Sequence, residues 1–153
     1  MNHRIKEEDR KKIADGVFCV LADSYVLYLK TQNYHWNVTG VHFGPLHSMF
    51  QEHYENLAEA VDTLAERIRA LGHKVNANFS EFTKHSALNE ETGFPSDKEM
   101  LKNLLLDHEA VIATMQRVMV EAQEMGDEVT TDMLIERSNF HEKTAWMIRS
   151  HLE

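Results

Sequence analysis

Four side chains of this sequence could together bind a transition metal. His35 and His47 lie twelve residues apart, and Asp62 and Glu66 follow at a spacing that places two carboxylates on one face of a helix. Neutral imidazoles and carboxylates form a mixed nitrogen and oxygen ligand set that suits ferrous iron, zinc or manganese. We therefore treat these four residues as the candidate metal ligands.

The spacing excludes a site that is built along one helix of a single chain. If residues 46–71 form one helix, His47 and Asp62 lie about 22 Å apart along its axis, at 1.5 Å per residue. One metal ion cannot contact both side chains. Either the groups are unrelated, with Asp62 and Glu66 as solvated acids on an exposed face, or a second copy of the chain completes the site.

A two-fold axis near residues 56–57 would bring the separated ligands together. Two antiparallel copies of the helix would set His47 of one chain opposite Asp62 and Glu66 of the other, in the commonest interface symmetry. Ala58 and Ala65 project beside the ligands, and such small side chains would let another helix approach closely. The spacing thus predicts an intersubunit site as an alternative to unrelated surface groups.

The elements that must position these ligands are helices. Apolar residues recur every three or four positions, the capping box Ser96-x-x-Glu99 opens one segment, and Gly72 ends another. The predicted helices run from about Glu7 to Gln32, over 46–71, from Pro95 to Met125 and over about 129–152. A long connection over 73–95, with a short helix near 80–85, suits a crossover between parallel helices. We predict an all-α four-helix bundle, with residues 1–153 as one domain.

Composition excludes several classes of protein. The formal net charge is −9, which disfavours a polyanion as the partner, and no apolar run approaches the length of a membrane span. The N-terminal residues lack the apolar stretch of a signal peptide, and the one cysteine, Cys19, fits a reducing compartment. These observations predict a cytoplasmic protein that is not bound to a membrane.

The remaining histidines give weaker signals. His108 lies on the apolar seam of the third helix, which predicts a buried histidine. Five others have no partner at ligand spacing: His42, His53, His73, His85 and His141. Of these, His53 lies one turn from the candidate site and is a reserve ligand. No Glu-x-x-His motif occurs, and since that motif carries the di-iron site inside ordinary ferritin-like bundles, we expect a dry core.

Residues 33–72 closely resemble the Dps family, the mini-ferritins also called DNA-binding proteins from starved cells. The resemblance rests on the block NYHWNV-x-G-x-x-F-x-x-LH, followed by D-x-x-AER-I-x-ALG at the family's spacing. GDEVTTDML at 126–134 and Trp146 extend it over essentially the whole chain.

The resemblance implies a ferroxidase that stores iron in a dodecameric shell and protects against oxidative stress. It implies that His35 and His47 bind iron with Asp62 and Glu66 of the adjacent subunit. Hydrogen peroxide, or oxygen, would be the oxidant, and Trp36 would match the aromatic residue that relays electrons beside the centre. Asp127 and Asp132 resemble the acids of the iron-entry pores, although capping of the fourth helix explains the two acids equally well.

Two departures from the family pattern leave alternatives open. Gln51 stands where the family usually has a carboxylate, so a second iron position depends on Glu52, His53 or Glu55, or is occupied only transiently. No lysine-rich terminal tail occurs, which makes direct DNA binding weak or absent. A DNA-protection protein with secondary iron chemistry, or a shell that holds zinc without turnover, are the alternative functions.

Overall fold

The computed structural model describes residues 4–153, which form five helices and no strand. In chain order the helices are α1 (Glu7–Asn37), α2 (Phe43–Ala70), α3 (Phe79–His85), α4 (Asp97–Glu124) and α5 (Glu128–Leu152). Four long helices, with the short α3 in the connection between α2 and α4, confirm the predicted all-α bundle. Among residues 4–153, none of the helices contains an apolar stretch of the length needed to cross a membrane.

The bundle core follows the predicted apolar seams. α1 packs against α2, α4 against α5, and α1 also contacts α3 and α4. Phe50, Leu57 and Leu64 of α2 are fully buried, and so is His108 on the seam of α4, as predicted. Trp146 departs from the expected pattern, since it is 59% exposed on α5.

Glycine permits the close contact between α1 and α4. A Cβ atom added at Gly16 would lie 2.9 Å from Cγ1 of Val118, a separation that real Cβ atoms essentially never show. Val118 is itself fully buried, so it has little room to move. A larger residue at position 16 would push the two helices apart.

The helix ends follow their local sequence, with two shifts that concern the candidate site. Ser96 and Glu99 form the predicted capping box at the start of α4. α1 runs five residues beyond the predicted end, to Asn37, and therefore carries His35 in its last turn. α2 begins at Phe43, three residues earlier than predicted, which places Pro45 in its first turn.

Polar contacts hold the crossover against the bundle. The buried carboxylate of Asp23 accepts hydrogen bonds from Ser86, from the Ala87 N–H and from Thr114, at 2.7–2.9 Å. Burial nevertheless raises the pKa of Asp23 above its ordinary value. The Tyr34 hydroxyl donates to Glu91 at 2.5 Å. These bonds fix the segment that separates α3 from α4.

Candidate metal centre

His35 and His47 meet where α1 ends and α2 begins. Their rings stack with centroids 3.8 Å apart and an interplanar angle of 13°. Nδ1 of His35 donates to the carbonyl oxygen of His47, and Nδ1 of His47 donates to the carbonyl oxygen of His35, each at 2.7 Å. The two predicted histidine ligands are therefore joined by a reciprocal pair of hydrogen bonds.

These hydrogen bonds define the tautomer of both rings. A carbonyl oxygen can only accept, so each Nδ1 must carry the proton, and in the neutral ring Nε2 then keeps its lone pair. An Nδ1–H bonded to a backbone carbonyl is the arrangement that orients many metal-binding histidines in proteins. Both imidazoles are thus prepared to bind a cation through Nε2.

Aromatic rings restrict both imidazoles further. The Tyr54 ring meets the His35 ring edge to face, with centroids 5.2 Å apart. Phe43, the first residue of α2, stacks on His47 with centroids 5.0 Å apart. His35 is buried, whereas the neighbouring Trp36 is 62% exposed and directed away from the bundle core. The sequence pattern identified Trp36 but gave no indication of Tyr54.

Asp62 and Glu66 lie one turn apart on the exposed surface of α2. Neither carboxylate forms an ion pair among the described residues. The arginines that could have neutralised them are engaged elsewhere: Arg67 pairs with Asp127 at 2.9 Å, and Arg69 donates to the carbonyl oxygen of His73. Both acids therefore remain available to bind a cation.

The single chain does not bring the four predicted ligands together. All of residues 43–70 belong to α2, so the estimate of about 22 Å between His47 and Asp62 along one axis holds. Within residues 4–153, no three His, Cys, Asp or Glu side chains gather closely enough to hold a metal ion.

An apolar groove lies beside the two carboxylates. It has a volume of about 620 Å³ and runs between α2 and the segment that carries α3. Ala58, Val61 and Ala65 of α2 line it together with Asp62, and Phe79 at the start of α3 is 73% exposed nearby. The alanines identified from the sequence thus do lie beside Asp62, on a surface that another helix could approach.

Gln51 occupies the exposed face of α2 one turn after His47. Its Nε2 donates to Oε1 of Glu55 at 2.9 Å. The amide therefore binds the Glu55 carboxylate, which lies one helical turn further from the histidines. Its carbonyl oxygen is a neutral and weaker ligand for a hard cation than a carboxylate.

The two candidate pore acids, Asp127 and Asp132, lie in different environments. Asp127 is the N-cap of α5: its side chain accepts from the Thr130 N–H, and the carboxylate is 1% exposed and paired with Arg67. This geometry favours the capping interpretation over the pore interpretation for Asp127. Asp132 is exposed on the first turns of α5.

A cluster of three histidines lies inside the bundle, of which the sequence predicted burial for His108 alone. His53 of α2, His108 of α4 and His141 of α5 are all buried. Nδ1 of His108 lies 2.8 Å from Nδ1 of His141, and Arg137 contacts Nε2 of His141 at 3.5 Å. Because arginine can only donate, His141 accepts at Nε2 and donates from Nδ1 to His108.

Burial keeps this histidine cluster neutral. Desolvation is the largest effect on each ring, and it lowers the pKa of His53 to about 4 and that of His108 to about 3. Desolvation likewise lowers the pKa of His141 well below its ordinary value, and it lowers the pKa of Arg137 to about 10. The sequence held a signal for the cluster, since each histidine occupies an inward position of its helix.

Comparisons with known proteins agree with this architecture. The family model described as a ferritin-like domain matches residues 20–153. An uncharacterised low temperature-induced protein of Nostoc sp. is 38% identical over 155 residues, covering 100% of this chain and 87% of that protein. DNA protection during starvation protein 2 of Bacillus anthracis is 34% identical over 152 residues, covering 99% of each.

Solved structures give the same result. The crystal structure of the Dps protein of Vibrio cholerae O1, described as a member of a broad superfamily of ferritin-like diiron-carboxylate proteins, superposes with a TM-score of 0.94 at 29% identity. The match covers 97% of this chain and 94% of that one. Fold and helix order thus define a ferritin-like protein. Together with the full-length relatives, they show that the chain belongs to the Dps family.

Proposed function

We propose that this protein is an iron-storing ferroxidase whose centres form between two subunits. One chain would supply His35 and His47, and the adjacent chain would supply Asp62 and Glu66. The observation that carries the proposal is the reciprocal hydrogen-bond pair, which leaves both Nε2 atoms free to bind a cation. The unpaired carboxylates beside the apolar groove supply the complementary half.

Fe(II) is the substrate in this proposal, and hydrogen peroxide is the preferred oxidant, with oxygen as the alternative. Carboxylate oxygens stabilise Fe(III) more than Fe(II), so Asp62 and Glu66 would favour loss of an electron. The histidines would bind iron as neutral bases, and acid would therefore compete with the metal for Nε2. Ferric product would collect in the interior of a dodecameric shell and be withheld from reactions that damage the cell.

The assembly and setting belong to the same proposal. Residues 1–153 would act as one ferritin-like domain, two-fold dimers would build the dodecamer, and the shell would work in the cytoplasm. The apolar groove beside Asp62 would receive the second copy of the chain, as the alanines on α2 permit. Trp36, exposed next to His35, would face this contact and relay electrons.

DNA protection is the second candidate, because several relatives carry that name. The formal net charge of −9 opposes direct contact with a polyanion. We therefore expect protection through removal of iron and peroxide. A mobility shift of supercoiled DNA at modest ionic strength, abolished by added salt, would instead support direct binding.

Subunit complementation tests the intersubunit centre. His47→Ala and Asp62→Ala should each abolish rapid peroxide-dependent oxidation of Fe(II), followed by ferric absorbance after anaerobic loading. When the two inactive variants are unfolded, mixed and reassembled, every mixed dimer should contain one intact centre and one doubly altered centre. Random pairing should restore about a quarter of wild-type activity.

The controls make the complementation interpretable. Each variant reassembled alone should stay inactive, and size measurements should show the same oligomer for both variants and the mixture. If the mixture remains inactive while its oligomer matches the wild type, the four ligands do not form a shared centre, and the proposal is wrong.

A further inference from the structure

A continuous series of aromatic rings leads away from the histidine pair. Tyr54 meets His35 at 5.2 Å between ring centroids, and Tyr28 follows at 6.0 Å from Tyr54. Tyr25 lies 6.0 Å from Tyr28, and its ring stacks on Phe82 at 4.8 Å. Each step is a ring-to-ring contact within the range of packed aromatic pairs.

Three oxidisable side chains therefore occupy consecutive places in this series. Tyr54, Tyr28 and Tyr25 are all only partly buried, and each carries a phenol that can lose one electron and one proton. Tyr34 makes a useful contrast: it is fully buried, contacts Phe50, and donates its hydroxyl to Glu91. Trp36 takes part in no ring contact among residues 4–153, so among the tyrosines and tryptophans of these residues only Tyr54 contacts a candidate ligand ring.

The neutral side chain of Gln51 creates a need for a second electron donor near the histidine pair. Reduction of hydrogen peroxide to water takes two electrons, and one Fe(II) supplies only one. Because a neutral amide replaces a carboxylate one turn after His47, the second iron position is weak. A centre that holds one Fe(II) needs a second one-electron donor to avoid releasing hydroxyl radical.

We propose that Tyr54 is this second donor, and that Tyr28 and Tyr25 spread the resulting oxidation along α1. The proposal rests on the ferroxidase function above. In the first step Fe(II), the Tyr54 phenol, hydrogen peroxide and one proton give Fe(III), the neutral Tyr54 radical and two waters. Iron and tyrosine each lose one electron, the O–O bond breaks, and the phenolic proton is used in forming water.

A second Fe(II) restores the tyrosine. It gives one electron to the radical, which takes up one proton and returns to the phenol, while the iron becomes Fe(III). Over both steps two Fe(II), one hydrogen peroxide and two protons give two Fe(III) and two waters. The tyrosines thus store one oxidising equivalent between the arrival of the first and the second iron.

Rapid freeze-quench electron paramagnetic resonance tests this proposal on the assembled protein. Anaerobic protein would receive one Fe(II) per chain and then hydrogen peroxide, with ferric absorbance and spin-trapped hydroxyl radical measured in the same samples. The wild type should show an organic radical whose spectrum narrows when the protein contains ring-deuterated tyrosine. Tyr54→Phe should lose most of that signal and release several-fold more hydroxyl radical.

Two matched variants define the path. Tyr28→Phe should lower the radical yield less than Tyr54→Phe, because it removes the second ring of the series and keeps the first. Tyr34→Phe removes a phenol outside the series and should leave both readouts at the wild-type level. Each substitution keeps the ring, so packing changes little, and thermal unfolding would verify that.

The outcomes separate this proposal from the ferroxidase function. Ferric iron in every variant, with equal radical and hydroxyl yields in wild type and Tyr54→Phe, would overturn the tyrosine relay and leave the ferroxidase intact. A radical that disappears in Trp36→Phe and is insensitive to tyrosine deuteration would likewise overturn it. If the wild type itself forms no ferric iron, the ferroxidase proposal fails and the relay fails with it.

Discussion

Two groups of histidines in this chain are hydrogen-bonded, and their partners give them opposite properties. His35 and His47 donate to each other's backbone carbonyl oxygens, at the junction of α1 and α2. His108 and His141 bond to each other inside the bundle, with His53 beside them. A carbonyl partner fixes the tautomer and leaves Nε2 free, whereas an imidazole partner uses one ring's lone pair within the protein. The first group is therefore suited to bind iron, and the second to fill a core.

The largest expected difference between the groups is in iron binding. His47→Ala removes one ligand and the hydrogen bond to the His35 carbonyl, and we expect Fe(II) affinity to fall by more than about 100-fold, beyond the usual loss from outer-shell changes. The free energy of unfolding should change little, because the His47 ring is only partly buried. Anaerobic titration calorimetry and urea denaturation of the same samples measure the two effects.

Replacement of the buried pair, His108 and His141, should leave Fe(II) binding nearly unchanged. His108→Leu combined with His141→Leu removes both hydrogen-bond partners at once and leaves neither ring unpaired. Fe(II) affinity should stay within about twofold of the wild type, since these rings lie outside the proposed centre. A large loss of Fe(II) affinity with an unchanged oligomer would show that the comparison is wrong and that the cluster takes part in metal binding.

The two groups should also differ in how acid affects stability. The folded protein keeps the cluster neutral, with the pKa of His53 about 4 and that of His108 about 3, whereas an unfolded histidine has a pKa near 6.5. Below that value the unfolded chain binds more protons, so stability present at neutral pH is lost as the pH falls. We expect a loss of about 1 kcal/mol for each of His53 and His108 between pH 7 and 5.5.

The charged neighbours of the cluster, like its burial, disfavour protonation of the histidines. Arg137 lies against His141, and His151 lowers the pKa of His53 further, so neither favours a protonated ring. Urea denaturation at several pH values measures the slope. The His108→Leu, His141→Leu double variant should lose the contribution of two of the three rings, and therefore the larger part of the cluster's share of the slope. An unchanged slope in that variant would contradict a neutral cluster in the folded protein.

The sequence predicted the bundle better than it predicted the cluster, for a physical reason. Helix period and capping depend on nearby residues. They placed the four long helices to within about five residues and identified Ser96 as the N-cap of α4. The reciprocal bonds of His35 and His47 depend on how α1 meets α2. The 33 residues that separate His108 from His141 in the chain hid the contact between those two rings. Tyr54 was missed because its contact with His35 crosses between helices.

The smallest effect concerns the ring that covers His47. Phe43 stacks on that imidazole at 5.0 Å, and an aromatic pair of this kind contributes about 0.5–1.5 kcal/mol beyond its buried area. Phe43→Ala should therefore weaken Fe(II) binding by roughly twofold to tenfold through a less restricted His47, without loss of either hydrogen bond. Phe94→Ala is the matched control, because Phe94 is exposed and lies in the crossover. Equal affinities in the two variants would show that the carbonyl bonds alone orient His47, so that backbone partners, and not ring packing, distinguish the iron-binding pair from the buried cluster.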